Sequence, residues 1–122
     1  MFKSLIQPLG PLSLSPSSTV LNYGQGLFEG LKAFRRSDNT IVVFRPDKNA
    51  ARSRNGCDRL LLPPVPEPAF LAAVSAAVAA NARFVPPTGK GALYVRPIVF
   101  GSGAVLGVAA SDEVSGGGTR RE

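Results

Sequence analysis

"LNYGQGLFEGLKAF", residues 21–34, sets three glycines within seven positions among Tyr23, Phe28 and Glu29. Glycine costs a helix or strand interior roughly 0.5–1 kcal/mol relative to alanine, so three of them call for a reason. Two reasons remain open: a turn that needs positive φ, or a main chain that must approach something closely. Just before the first glycine, "TVLNY" reads as a strand. Downstream, "LKAFRR" and "IVVFRP" flank "SDNT" and read as a hairpin. Ile41, Val42, Val43 and Phe44 are all apolar, which predicts a central strand rather than an edge.

Further outward the period changes. Pro46 suits the first turn of a helix, where its missing N–H would have no partner anyway, and Asp47 suits the positive end of the helix dipole. A helix over about 46–60 follows, with Gly56 inside it or ending its regular part, and "PPVPEP" makes a stiff connection. In "AFLAAVSAAVAANARFV" Phe70, Val74 and Val78 recur at helical spacing. "PPTGKG" ends that helix, and "ALYVRPIVFG" is a β-rich run in which Pro97 predicts a bulge, a break or an edge. The fold class is therefore α+β, a mainly antiparallel sheet with two helices on one face. Residues 1–18, with three prolines and five serines, read as an extended arm, and 19–110 as the domain. Residues 111–122, "SDEVSGGGTRRE", lack periodicity and read as a disordered tail.

Composition narrows the function. The 122 residues suit one small domain but are few for a complete cofactor-dependent enzyme. Net charge is +6, yet the basic residues are scattered, with neither the aromatic pattern of an RNA-binding sheet nor zinc-finger pairs. That argues against nucleic acid and leaves a phosphate-bearing small molecule open. Cys57 is the single cysteine and histidine is absent, so an internal disulfide and Cys–His or Ser–His catalysis are excluded within this chain. The reading for metal is none, and for membrane none, since no apolar run approaches the 18 or more residues of a span. A reducing compartment follows from the cysteine count.

Three groups of residues could carry chemistry. Tyr23, Phe28 and Glu29 amid Gly24, Gly26 and Gly30 form the first, which by itself reads as a turn with two core aromatics. Arg52 on the first predicted helix, with Arg45, Arg54 and Arg59 nearby, is the second; a solvated role is the ordinary reading of each. Tyr94 and Arg96 alternate along a strand and so share a face, where the guanidinium fork could take a carboxylate or a structural ion pair.

Together, "LNYGQGLFEGLKAF", "FRPDKNAARSRNGCDRL" and "GALYVRPIVFGSGAVLG" closely resemble, in order and spacing, the N-terminal half of branched-chain amino acid aminotransferases. These are fold-type IV enzymes that use pyridoxal 5'-phosphate, and the resemblance covers about residues 10–110. It implies the small N-terminal domain of that fold, and amino transfer between leucine, isoleucine or valine and 2-oxoglutarate. Arg52, in "NAAR", matches the arginine that grips the cofactor phosphate. Tyr23 and Phe28 match positions lining the pocket for the substrate side chain, and Tyr94 and Arg96 match positions that shape the substrate site and orient the carboxylate. The glycines then let the main chain turn tightly beside a pocket into which Tyr23 and Phe28 face. Partners by resemblance are branched-chain amino acids, 2-oxo acids and a second copy in a homodimer. Relatives occur in plastids, mitochondria and cytosol.

The chain also departs from the family. The Schiff-base lysine, the glutamate that pairs with the pyridine nitrogen and several phosphate-binding residues lie, in the family, in a second domain. Lys3, Lys32, Lys48 and Lys90 match no lysine with that role. The expectation for catalytic residues is none, and the alternatives are a non-catalytic fragment that associates with a partner chain, or a related fold-type IV protein of the D-amino acid or aminodeoxychorismate type.

Overall fold

Two segments of the chain, 26–35 and 93–101, run antiparallel through the molecule and lay out everything else. The computed structural model describes residues 3–4, 6–107, 109, 114–116 and 119–120. Strand β2 (Gly26–Phe28) pairs with β6 (Ile98–Gly101), and β3 (Leu31–Arg35) pairs with β5 (Leu93–Val95). Phe28 lies opposite Ile98 and Leu31 opposite Val95, so both pairings share one register, and Glu29 and Gly30 lie across from Pro97 and Arg96. The Glu29 N–H donates to the Pro97 carbonyl at 2.9 Å. Proline has no N–H to return, and the ladder parts there. Beyond the break, β2 and β6 continue a five-stranded sheet in the order β1-β8-β7-β6-β2, with β1 (Lys3–Ser4), β7 (Val114–Gly116) and β8 (Thr119–Arg120). On the other side, β3 is the middle of a three-stranded sheet, β4-β3-β5, with β4 at Ile41–Val43. Every pairing is antiparallel.

Helix α2 (Pro46–Arg59) starts with proline at its first position and carries Asp47 in its first turn. Helix α3 (Glu67–Ala80) buries Phe70, Val74 and Val78, as the spacing predicts. These three meet Leu31 and Ala33 of β3 and Ala50 of α2 in the first core. A second core joins Cys57 and Leu62 to Val99 and Val114, with Leu27 packed against it. Helix α2 thus spans both sheets. Cys57 is buried, and desolvation raises its thiol pKa, partly offset by a hydrogen bond from the Val65 backbone.

Three expectations give way. "TVLNY" is not a strand but a short helix, α1 (Thr19–Tyr23), closed by Gly24 at φ 64°, whose N–H donates to the Val20 carbonyl at 3.0 Å. A left-handed C-terminal glycine overrides the β preference of the run, and gives the first glycine its reason. Strand β4 lies at an edge, not in the centre. Ile41 and Val43 pack against the first core while all three residues stay half-buried, and a three-residue edge is short enough to tolerate apolar side chains. The 111–122 segment, read as disordered, supplies β7 and β8 where it is described, and Val114 is buried. Strand β6 offers a row of backbone donors and acceptors on that side, and backbone pairing needs no side-chain periodicity. The rest of that segment lies outside the described residues.

Candidate functional site

The site forms where the two sheets part. Side chains alternate across β2 and β3: Leu27, Glu29, Leu31 and Ala33 turn inward, while Phe28, Gly30, Lys32 and Phe34 turn outward. Glu29 is therefore a carboxylate in an otherwise apolar stripe, and it is 4% exposed. Helix α2 meets this stripe with Asn49, Arg52 and Gly56, which share a face at helical spacing. A Cβ on Gly56 would stand 2.9 Å from the Leu27 Cδ2, so glycine allows the helix to come close to the strand there.

That approach brings Arg52 onto Glu29. Arg52 Nε donates to Glu29 Oε1 at 2.7 Å and Nη2 to Oε2 at 2.6 Å, the fork-on-carboxylate arrangement, and Asn49 Nδ2 donates to the same Oε2 at 2.8 Å. The hydrogen bonds from Arg52 lead in holding the Glu29 carboxyl below its ordinary pKa; Asn49, the charge of Arg52 and the Gly30 backbone act in the same direction, and burial opposes them. The Arg52 side chain is nonetheless 71% exposed, and its Nη1 has no partner among the described residues. Arg54, two residues on, points elsewhere: its guanidinium lies 3.8 Å from Glu67 of α3.

The outward face carries a different cluster. Arg96 Nη2 and Nε donate to the Tyr94 hydroxyl at 2.6 and 3.2 Å. The Arg96 guanidinium lies over the Phe28 ring at 4.3 Å and over the Tyr94 ring at 5.1 Å from their centroids. Tyr94 covers Gly30, where a Cβ would come 2.5 Å from its hydroxyl, which is the close approach that requires glycine. Among the described residues no carboxylate pairs with Arg96. An exposed, aligned guanidinium flanked by two rings can take a carboxylate beside an apolar group.

Of the residues singled out in the sequence, the structure thus gathers Phe28, Tyr94 and Arg96 on one face and sets Arg52 on the other. An open groove lined by Gly30, Lys32, Phe34, Phe44, Asn49 and Tyr94 borders both. Tyr23 stands apart, exposed, in a second groove with Thr19, Gln25, Leu60 and Leu61. Sequence reasoning missed Glu29 and Asn49 as partners of Arg52. The signal was available: a charged residue at an inward position of the alternating Leu27, Leu31, Ala33 stripe. Among the described residues no group of acidic, cysteine or histidine side chains stands where it could hold a metal ion. No described helix is long and apolar enough to cross a membrane.

No protein-family profile matches the chain. It is 52% identical over 108 residues to branched-chain-amino-acid aminotransferase 5, chloroplastic, of Arabidopsis thaliana, covering 88% of this chain and 26% of that protein. Against branched-chain amino acid aminotransferase 2, chloroplastic, of Humulus lupulus it is 55% identical over 108 residues, with the same coverage of 88% and 26%. The chain is homologous to branched-chain amino acid aminotransferases. It spans about a quarter of the length of these curated relatives. The fold agrees: the branched-chain aminotransferase of the thermophilic archaeon Thermoproteus uzoniensis, solved with norvaline, superposes with a TM-score of 0.68 at 26% identity, covering 85% of this chain and 33% of that one. The α+β arrangement is that of the N-terminal domain of branched-chain aminotransferase structures. Both plant relatives are named as aminotransferases.

Proposed function

We propose that this chain is the small-domain part of a branched-chain amino acid transaminase, moving an amino group between leucine, isoleucine or valine and 2-oxoglutarate. The observation that carries the reading is the guanidinium of Arg52, held along one edge by two hydrogen bonds to Glu29 while its outer edge stays open. The residues fit a phosphate there: Nη1 is unpartnered among the described residues, and an arginine fork suits an oxyanion. Arg52 would hold the phosphate of pyridoxal 5'-phosphate, which when bound supplies the electron sink for amino transfer. On the other face Arg96, aligned by Tyr94, would take the substrate carboxylate, and Phe28 would contact the substrate side chain. Tyr23, which lines a groove of its own, would lie apart from these two. Lys32, Lys48 and Lys90 are exposed, and none bonds to Arg52, Tyr94 or Arg96 among the described residues, so the covalent anchor for the cofactor would come from outside this chain. The chloroplastic names of the two plant relatives favour a plastid.

The test is a chimera in which this chain replaces the matching segment of the Humulus lupulus relative. Dialysis against pyridoxal phosphate should show binding, and Arg52→Ala should weaken it about tenfold to a hundredfold, the worth of one charge-assisted hydrogen bond. Arg54→Ala should change it little, since that guanidinium is turned toward α3. Equal losses in the two variants would mean that general positive charge attracts the phosphate. A second reading, a chain that only associates with a partner, is favoured by the exposed aromatic residues Phe28, Phe34 and Phe44 on and beside the outward face. Binding by the partner alone, unaltered in the chimera by Arg52→Ala, would select it.

A further inference from the structure

We propose that Glu29 is a positioning residue for Arg52: it fixes the guanidinium so that its outer edge is set for an oxyanion before one arrives. The inference rests on the reading of Arg52 as the phosphate-holding residue. Its support lies in the geometry. Glu29 occupies an inward, apolar position of the strand where a carboxylate is costly, and it is 4% exposed. Both of its oxygens are taken up by donors from one face of α2, two from Arg52 and one from Asn49. Asn49 also donates to the Gly30 carbonyl at 3.2 Å, which ties the helix to the strand just past the carboxylate. Arg52 itself is 71% exposed, and an arginine so exposed would otherwise sample many rotamers. With Nε and Nη2 committed to Glu29, the planar fork has one remaining orientation, and Nη1 points away from the carboxylate.

A purely structural pair and a positioning pair differ in sign. Glu29 neutralises Arg52, so if Arg52 acted only by charge, deleting the carboxylate would tighten the grip on an anion. If Glu29 acts by fixing direction, the same deletion loosens it, because the side chain must then be immobilised on binding. Charge and order therefore predict opposite results from one substitution.

The experiment uses the 122-residue chain, labelled with 15N, with pyridoxal 5'-phosphate and inorganic phosphate as separate probes followed by 31P NMR. Glu29→Gln should weaken binding of both probes about three- to tenfold although it raises the net charge by one. Unchanged or tighter binding in Glu29→Gln, with a loss in Arg52→Ala, would overturn the positioning role and leave the phosphate reading standing. The Arg52 Nε–H signal is read in parallel, without any ligand. It should be resolved and slow to exchange in the parent chain, and lost into the free-arginine envelope in Glu29→Gln. Fast exchange in the parent chain would overturn the proposal whether or not phosphate binds. A slow Nε–H with no effect of Arg52→Ala on either probe would sink the phosphate reading and, with it, the positioning role. If Glu29→Gln does not fold, Asn49→Ala removes one donor from the same carboxylate oxygen and leaves the charges in place. It should weaken binding about two- to threefold and speed the exchange, and an unaltered Nε–H signal in that variant would count against the proposal.

Discussion

Segment 26–35 has an arginine on each of its faces, Arg52 from α2 and Arg96 from the facing segment, and the two are held by opposite means. On the inward side Arg52 grips an ionised carboxylate that is almost wholly buried, and its charge is compensated. On the outward side Arg96 rests between two aromatic rings and donates to a phenol oxygen, and its charge is not compensated by any described carboxylate. Both devices fix the direction of a guanidinium. Pairing with a carboxylate neutralises the group as it aligns it, whereas stacking aligns it and leaves the full charge available. The comparison teaches that exposure alone says little about an arginine: on α2, Arg52 in its two-bond fork and Arg54 in a single 3.8 Å ion pair are exposed to similar extents, at 71% and 59%.

The largest effect that could break this contrast comes from the apolar stripe itself. Leu31→Ala, at a position 3% exposed, should destabilise the chain by about 2–5 kcal/mol in urea unfolding. Phe34→Ala, on the outward face at 39% exposure, should cost less than half of that. Similar losses would show that the outward face is packed as firmly as the inward one. Next is the response to acid. Glu29 has a lowered pKa in the folded chain, so its contribution is fully present above the ordinary carboxylate range and is lost as pH falls through the lowered value. Glu29→Gln should flatten the fall of stability on the acid side, and an unchanged acid profile would mean that the pair adds nothing that depends on its charge.

A smaller effect is expected at Gly30. A methyl group there meets the Tyr94 hydroxyl, and Tyr94 can give way only by leaving a preferred rotamer or its bond to Arg96, at about 0.5–1.5 kcal/mol. The loss should vanish in Gly30→Ala combined with Tyr94→Ala, which removes the neighbour. Additive losses would place the strain in the backbone instead.

The long periodic elements were legible because their signal is local. Pro46 and Asp47 mark the start of α2, and Phe70, Val74 and Val78 mark the buried side of α3. Pro97 announced the break between the sheets, though not that the chain changes sheets there. Two misread stretches have different causes, one local and one distant. "TVLNY" has β-branched residues but is capped as a helix by Gly24, and the 114–116 run is a strand because β6 lies beside it. In the site, shared strand periodicity put Tyr94 and Arg96 on one face correctly. The same periodicity places Glu29 inward between Leu27 and Leu31, where a carboxylate needs a buried partner. That Arg52 and Arg96 lie on opposite faces follows from the packing of α2, which no spacing within a single element reveals.

The smallest expected effect separates geometry from stability. Tyr94→Phe removes the hydroxyl that accepts from Arg96 at 2.6 Å and keeps the ring. Both side chains are exposed, so the change in unfolding free energy should stay within about 0.5 kcal/mol. The guanidinium should keep its place over Phe28, 4.3 Å away, because that contact does not involve the hydroxyl. Its in-plane orientation should be lost, since stacking holds a cation near a ring but does not choose which edge of the fork points outward. An NMR measurement of the Arg96 Nε–H should therefore show faster exchange with little change in the shifts of the Phe28 ring. A carboxylate ligand would then meet a charge of unchanged strength with one more rotation to fix, and acetate titration should register a loss of about two- to fivefold. A loss of stability as large as that of Gly30→Ala would instead make the hydroxyl a structural strut of the outward face, and the contrast between an inward arginine fixed by charge and an outward one fixed for binding would fall.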